Sequence, residues 1–184
     1  MPKLVIESKT HGTHTVLFDE EDRELVESHT WHIDTSTASG TFYANTNIRC
    51  DDGYERKKGY LRYKRVKLHR AIMKAPKGMV VDHINHNGLD NRRQNLRLCT
   101  PGENSRNRRL TNVYKGKETL SKYKGVSKNR KTKKNPWFFQ IILEGKKHCK
   151  SGFSTPEEAA RAYDAKAKEL FGEFAHLNFP EEKL

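Results

Sequence analysis

A carboxylate and an imidazole stand side by side at Asp82 and His83, and two amides follow at Asn95 and Asn104. Carboxylate and amide oxygens are hard ligands, which suit magnesium or manganese better than zinc. A cation held only by Asp82 and Asn104 keeps coordination positions for water and phosphate oxygens. A neutral imidazole at His83 could take a proton from the attacking water, and Asn95 could orient that imidazole. The four residues predict a site with one divalent metal ion that hydrolyses a phosphodiester.

The elements around these residues are predicted to be a strand, a strand and a helix. Residues 79–84 are apolar and partly β-branched, as in a short strand. An Asn-rich and Gly-containing loop follows, and residues 95–100 alternate like a second strand. Thr100 and Pro101 are typical of a helix start, with Glu103 three residues after the cap. A unit of this kind can bring a strand-end carboxylate near Asn104 in the first turns of the helix.

This stretch resembles the HNH nucleases, which have a ββα-metal fold, and most closely the homing endonucleases of phages and mobile introns. The resemblance covers residues 67–109. It implies that Asp82 and Asn104 bind the metal, that His83 is the general base and that Asn95 orients it. It also implies products with a 5′-phosphate and a 3′-hydroxyl. Many members have His on the helix where this chain has Asn104.

The stretch has two other interpretations. An Asp-His pair occurs by chance in many proteins, and Asn-rich loops are usually only turns, so the pair alone would favour no function. The full set of four residues, in its strand–strand–helix context, favours the nuclease site instead. His86 and Cys99 suggest zinc, but no second cysteine stands at ligand spacing, which disfavours that metal.

The composition indicates a polyanionic partner. The 184 residues include 36 Lys and Arg against 23 Asp and Glu, a formal charge of +13 with neutral histidines. The chain has no long apolar run, and its first residues do not resemble a signal peptide, so a membrane is disfavoured and double-stranded DNA is favoured. Three widely spaced cysteines indicate a reducing compartment, here the cytoplasm of a prokaryotic or phage-infected cell. No small-molecule cofactor is expected, and the protein could be a monomer or a homodimer.

The predicted fold class is α+β, with four segments. Residues 1–68 form a small mixed amino-terminal support module, and residues 69–110 form the HNH unit. A basic linker covers residues 111–121, and residues 122–180 form a second domain. The arginines that lead into the linker, which are Arg106, Arg108 and Arg109, are predicted to neutralise DNA phosphates.

The second domain is predicted to be a three-stranded antiparallel sheet packed on one helix. The strands are placed at residues 122–128, 137–143 and 146–153. The helix is placed at residues 156–171, with Thr155 as its cap and Pro156 in its first turn. Small alanines on one stripe of the helix allow it to lie close to the sheet. The opposite face of the sheet is left open, and a sheet of this size can enter the major groove of DNA.

This domain resembles the plant APETALA/ethylene-response-factor DNA-binding domain in Y-K-G-V at 123–126, Trp137, the helix E-E-A-A-R-A-Y-D at 157–164 and L-N-F-P at 177–180. Ser127, Ile142 and Cys149 depart from the plant pattern, so the plant target sequence is not expected. The resemblance places DNA contacts at Lys124, Ser127, Asn129, Trp137, Gln140, Ile142, Lys147 and Cys149. Trp137 could equally be a core residue that braces the sheet.

Together these patterns predict a homing-type, metal-dependent DNA endonuclease. The carboxy-terminal sheet would find the target, the basic linker would follow the backbone, and the central unit would cut one strand per visit. Nicking and double-strand cleavage both remain open. The main alternative is a non-catalytic, sequence-specific DNA-binding regulator, and a further alternative is an RNA-binding module.

Overall fold

A computed structural model describes residues 2–36, 40–49, 63–108, 113–114, 117–118 and 121–180. The described chain is a mixed α/β protein with several small antiparallel sheets and few helices. It divides into two compact units, Met1–Pro101 and Gly102–Leu184. Arg109 and most of the predicted linker lie outside the described residues. None of the helices in the described ranges has the length and hydropathy of a membrane-spanning segment.

The first unit begins with a hairpin and a short helix. Strand β1 (Lys3–Ser8) pairs antiparallel with β2 (Gly12–Leu17). A 3-10 turn at Glu20–Asp22 leads into helix α1 (Arg23–Glu27). The acidic residues of this turn lie at the positive end of the helix, where negative charge is favourable.

A three-stranded sheet follows, in the order β3 (His32–Thr35), β4 (Phe42–Arg49), β5 (Tyr63–Lys67). Helix α2 (Leu68–Ile72) continues directly from β5. Its apolar side chains join those of the hairpin and β3 in one buried core, because each of these elements has a single apolar face. The most buried members of this core are Val16, Phe18, Val26, Ala44, Leu68 and Ile72.

The last sheet of the first unit holds the predicted strand pair. Strand β6 (Val80–His83) and strand β7 (Leu96–Cys99) run antiparallel, with Asp82 directly opposite Arg97. Both strands lie within the ranges predicted from sequence. Helix α3 (Pro101–Arg106) then begins at the predicted proline.

The second unit contains the two-residue strands β8 (Val113–Tyr114) and β9 (Lys117–Glu118) and a larger sheet. The larger sheet has the order β10 (Val126–Lys128), β11 (Trp137–Leu143), β12 (Lys146–Phe153). The predicted strand at 122–128 is therefore shorter than expected. The reason is a turn at Gly125, whose φ is +72° and where a Cβ would lie 2.1 Å from the ring of Tyr163.

Helix α4 (Pro156–Phe171) has the predicted bounds. The hydroxyl of Thr155 accepts a hydrogen bond from Glu158 N at 3.2 Å, and the carboxylate of Glu158 accepts one from Ser154 N at 3.0 Å. The reciprocal pair satisfies two main-chain groups that a helix start leaves without partners. The helix packs its small side chains on the sheet, in a core that contains Val126, Phe139, Ile141, Ala159, Ala160, Tyr163 and Ala167.

Candidate active site

Asp82 lies on β6 in a buried ion pair that the sequence analysis did not predict. Arg97, its antiparallel partner on β7, donates to Oδ2 of Asp82 from Nε at 3.0 Å and from Nη2 at 2.7 Å. The two side chains are only 8% and 11% exposed. Residues directly opposite in an antiparallel pair lie close enough for such contacts. The carboxylate is thus held in place by the strand pairing.

His83 is buried among aromatic rings. The centroid of its imidazole lies 4.8 Å from that of His69, with the rings edge to face, and 5.9 Å from that of Tyr43. Burial lowers the pKa of His83 below its usual value, although contact with Asn91 and the charge of Asp82 oppose the shift. A neutral imidazole is the form that can accept a proton.

The amide that contacts the imidazole belongs to Asn91, not to Asn95. Asn91 is fully buried, and its Oδ1 lies 3.4 Å from Nε2 of His83. An amide oxygen only accepts hydrogen bonds, so Nε2 carries the proton and the lone pair is on Nδ1. Within the described chain, Nδ2 of Asn91 is buried with no hydrogen-bond partner.

Asn95 instead braces the loop between β6 and β7. Its Oδ1 accepts from Asn85 N at 3.0 Å, and its Nδ2 donates to the carbonyl oxygen of Asp90 at 2.8 Å. The two bonds close the loop that carries Asn91. The predicted contact of Asn95 with the imidazole is therefore corrected: any effect of Asn95 on His83 is indirect.

An ion pair and the amino-terminal hairpin fix the same loop. Arg92 donates to both carboxylate oxygens of Asp90, at 2.7 and 2.6 Å, and thereby lowers the pKa of Asp90. Asn91 N donates to the carbonyl oxygen of Leu17 at 2.8 Å, and Leu17 N donates to that of Leu89 at 2.9 Å. These bonds attach the loop to the end of β2.

His69 is a second buried imidazole that the sequence analysis left without a role. Burial lowers its pKa to about 2, and the neighbouring His83 adds to the shift. Its ring lies 5.5 Å from that of Tyr43, and the Lys67 ammonium lies 4.2 Å from the centroid of the same Tyr43 ring. These contacts pack aromatic rings around one side of His83.

We expect acid to destabilise the first unit through His69. The folded pKa lies below the unfolded value near 6.5, so the unfolded chain alone binds a proton here as the pH falls below about 6.5. Because of this group, the free energy of unfolding of the first unit should be about 2 kcal/mol lower at pH 5 than at pH 7.5. Urea unfolding at the two pH values, followed by Trp31 fluorescence in a Trp137→Phe background, measures the loss.

The variant His69→Phe retains a ring at this position and removes the titration. Between pH 7.5 and pH 5, the free energy of unfolding of this variant should fall by about 2 kcal/mol less than that of the protein with His69. His32→Phe, at an exposed position on β3, serves as the matched control. An equal loss in parent and His69→Phe would contradict the assignment.

Asn104, the other predicted metal ligand, lies half-buried on α3 in the second unit, whereas Asp82, His83 and Asn95 lie together in the first. Among the described residues, no three His, Cys, Asp or Glu side chains cluster as a metal site. The predicted ligands Asp82 and Asn104 offer carboxylate and amide oxygens. That chemistry fits a hard divalent ion, which can complete its coordination with water and phosphate oxygens.

The open face of the carboxy-terminal sheet collects most of the predicted DNA contacts. We call it the outer face. Side chains alternate across strands, and Phe139 and Ile141 point to α4, so their neighbours point away. Ile142 is 62% exposed there. By register, the outer face consists of Ser127, Phe138, Gln140, Ile142, Lys147, Cys149 and Ser151.

Three predicted DNA contacts lie elsewhere. Trp137 packs against the core of the second unit, because it alternates with Phe139 and Ile141 on the face of β11 that points to α4. Asn129 is exposed at the start of the β10–β11 loop, where its Oδ1 accepts from Lys131 N at 3.0 Å. The half-buried Lys124 donates from its ammonium to main-chain carbonyl oxygens.

The predicted linker arginines are described in part. The guanidinium of Arg106 lies 5.2 Å from the centroid of the Phe171 ring. Arg108 is exposed, which leaves it accessible to a phosphate. Arg109 is not among the described residues.

The family comparison covers the strand pair and the segment that follows it. Residues 67–106 match the family model described as HNH endonuclease, so the chain contains a domain of this family. Members of this family generally use a divalent metal ion.

The relatives come from viruses. The chain is 40% identical over 120 residues to "Uncharacterized HNH endonuclease L560" of Acanthamoeba polyphaga mimivirus, a match that covers 62% of this chain and 58% of the relative. It is 33% identical over 120 residues to "Protein 3.8" of Escherichia phage T7, which covers 62% of this chain and 93% of that protein. No solved structure matches the chain significantly.

Proposed function

We propose that this protein is a metal-dependent endonuclease of the homing type, which hydrolyses phosphodiester bonds in duplex DNA. The observation that carries the proposal is the buried His83, which is neutral, fixed through Nε2 by Asn91 and adjacent to Asp82 on the same strand. A protonated Nε2 leaves Nδ1 as the atom that accepts a proton. An imidazole of this kind can act as a general base near neutral pH.

In the proposed reaction, Nδ1 of His83 takes the proton of the attacking water as its oxygen bonds to phosphorus. The bond between phosphorus and the 3′-oxygen breaks, and the leaving oxygen takes a proton from solvent water, which gives the 5′-phosphate and the 3′-hydroxyl. Asn95 and Asn91 keep the base in place through the loop. Arg97, already paired with Asp82, places a positive charge beside the site.

We assign Asp82 and Asn104 as the ligands of one magnesium or manganese ion. When bound, the ion supplies charge stabilisation on the phosphate and on the leaving oxygen. The pairing of Asp82 with Arg97 supports the assignment in one respect, because it orients the carboxylate without a metal. Arg97 also keeps that carboxylate from being a lone buried charge, which would be costly.

The outer face is proposed to recognise duplex DNA in the manner of the ethylene-response-factor domains. Gln140 and Ile142 follow each other on this face of β11, with Lys147 beside Ile142 on β12. Glutamine can bind an adenine edge, an apolar side chain can contact a thymine methyl group, and lysine can bind phosphate. The excess of basic residues in the chain supports a polyanionic partner.

The test is cleavage of supercoiled plasmid DNA with magnesium or manganese and with a chelator. We expect conversion with either ion and none with the chelator. Asn104→Ala should lower the rate by about 10²-fold or more, since it removes a proposed ligand. Asn47→Ala, which removes an exposed amide on β4, should leave the rate unchanged.

The alternative, a non-catalytic DNA-binding regulator, predicts retained DNA binding without conversion under any of these conditions. Equal rates for the wild type and Asn104→Ala would remove Asn104 from the proposal. Competition by structured RNA across a salt series separates the RNA-binding alternative, because phosphate contacts alone do not distinguish the two nucleic acids.

A further inference from the structure

Lys124 contacts the carboxyl end of helix α3. Its Nζ donates to the carbonyl oxygen of Arg106, the last residue of the helix, and to that of Arg108 at 2.9 Å. The last carbonyl groups of a helix have no partner within the helix. A positive charge at this end is also favourable. Lys124 therefore acts as a side-chain cap that comes from another part of the second unit.

The main chain of Lys124 is itself held on both sides. Lys124 N donates to Oδ1 of Asn178 at 2.6 Å, and Nδ2 of Asn178 donates to the carbonyl oxygen of Lys124 at 3.2 Å. Asn178 in turn donates from its N and Nδ2 to Oδ1 of Asp164, at 2.9 and 3.0 Å. Asp164 is buried on α4. A continuous set of hydrogen bonds thus connects α4 to the end of α3.

A second contact joins the same two helices independently. The Arg106 guanidinium lies over the ring of Phe171, the last residue of α4, at 5.2 Å from its centroid. A guanidinium at this distance from an aromatic face is attracted by the ring. Helix α3 is therefore attached to the rest of the second unit through both a main-chain and a side-chain group.

The environment of Lys124 differs from that of a phosphate-binding lysine. Burial lowers its pKa to about 8, and the positive charge of Arg108 adds to the shift. The ammonium has exchanged water for two carbonyl oxygens. A lysine that contacts DNA from a sheet face needs its ammonium in solvent, as that of the exposed Lys147 is.

We propose that Lys124 is a positioning residue, which fixes helix α3 on the unit that also carries the outer face. This inference rests on the proposed function, since α3 carries Asn104. In this role Lys124 positions the proposed metal ligand Asn104. It does not make the DNA contact that the resemblance at Y-K-G-V implies. The DNA-facing sheet and the helix with Asn104 then move as one body.

The test compares Lys124→Met with Lys147→Met, which both remove a charge and keep an unbranched side chain. In Lys124→Met, hydrogen exchange of the Ser105 and Arg106 amides should accelerate by about 10–100-fold, because the charged cap is lost. Exchange of the α4 amides of Ala160 and Tyr163 should stay unchanged, which shows that the unit remains folded. In Lys147→Met, exchange should match the wild type at all four amides.

The two variants should also differ in DNA binding and cleavage. At saturating DNA, Lys124→Met should cleave roughly 10–100-fold more slowly than the wild type. Its dissociation constant for DNA, measured without metal, should be close to the wild-type value. Lys147→Met should bind more weakly and cleave at the normal rate once saturated. Phe171→Leu, which removes only the ring contact, should accelerate α3 exchange as well, and it serves if Lys124→Met does not fold.

Wild-type exchange at Ser105 and Arg106 in Lys124→Met, or in Phe171→Leu if that variant replaces it, would overturn the proposal. Weaker DNA binding by Lys124→Met with normal cleavage at saturation would do the same and restore the DNA contact. If the wild type cleaves no DNA, the proposed function fails, and the exchange experiment still decides whether Lys124 holds α3.

Discussion

Replacing His83 with alanine should slow the cleavage of duplex DNA by roughly 10²–10⁴-fold, the usual contribution of a general base. The DNA dissociation constant should change little, because His83 is buried and the basic surface is untouched. Single-turnover cleavage at saturating DNA and metal gives the rate, and binding without metal gives the affinity. The proposed chemistry therefore predicts a lower cleavage rate with an unchanged DNA dissociation constant for this one substitution.

The matched control is His32→Ala, because His32 is an exposed histidine on β3. It should cleave and bind as the wild type does. The His83→Ala protein needs a check of folding, since removing a buried ring leaves a cavity beside His69 and Tyr43. A folded His83→Ala protein with the wild-type rate would eliminate His83 as the base.

The local features of the fold were largely predictable from sequence. Helix α4 has the predicted bounds because its signals are all within a few residues: a hydroxyl cap at Thr155, Pro156 in the first turn and a stop at Gly172. The strands β11 and β12 also have the predicted bounds, since their alternation and the Glu144-Gly145 turn are local signals as well.

The partners of the site residues do not follow from local patterns alone, because they depend on contacts distant in sequence. Arg97 became the partner of Asp82 only through the register of β6 and β7. An antiparallel alignment of the two predicted strands would have indicated this pair. Asn91 reaches His83 because a folded loop is anchored to β2, and no periodicity encodes that arrangement.

Lys124 shows that a motif resemblance does not indicate which groups a side chain contacts within the fold. Y-K-G-V indicated a DNA contact through resemblance, but the ammonium bonds to Arg106, which lies 18 positions earlier. A lysine side chain takes the acceptors that its surroundings offer, and here they are the carbonyl groups that a helix end leaves without partners. The roles of Asp82, His83, Asn95 and Asn104 in catalysis stay predictions.

Asp82→Ala should abolish measurable cleavage, with a loss of roughly 10³-fold or more, because it removes the only carboxylate of the proposed metal site. It should also destabilise the first unit by about 3–5 kcal/mol, since Arg97 would remain buried without its counter-charge. Inactivity of this variant alone therefore proves nothing about catalysis, as a merely structural ion pair would give the same result after unfolding.

The double variant Asp82→Ala/Arg97→Leu separates the two roles. Removing both charges from a buried pair is often close to neutral, so most of the lost stability should return. Cleavage should remain absent, because the carboxylate is still missing. Urea unfolding followed by Trp31 fluorescence and plasmid cleavage with magnesium measure the two outcomes. Recovery of both cleavage and stability would mean that Asp82 serves only to neutralise Arg97. Asp82 would then not be a metal ligand.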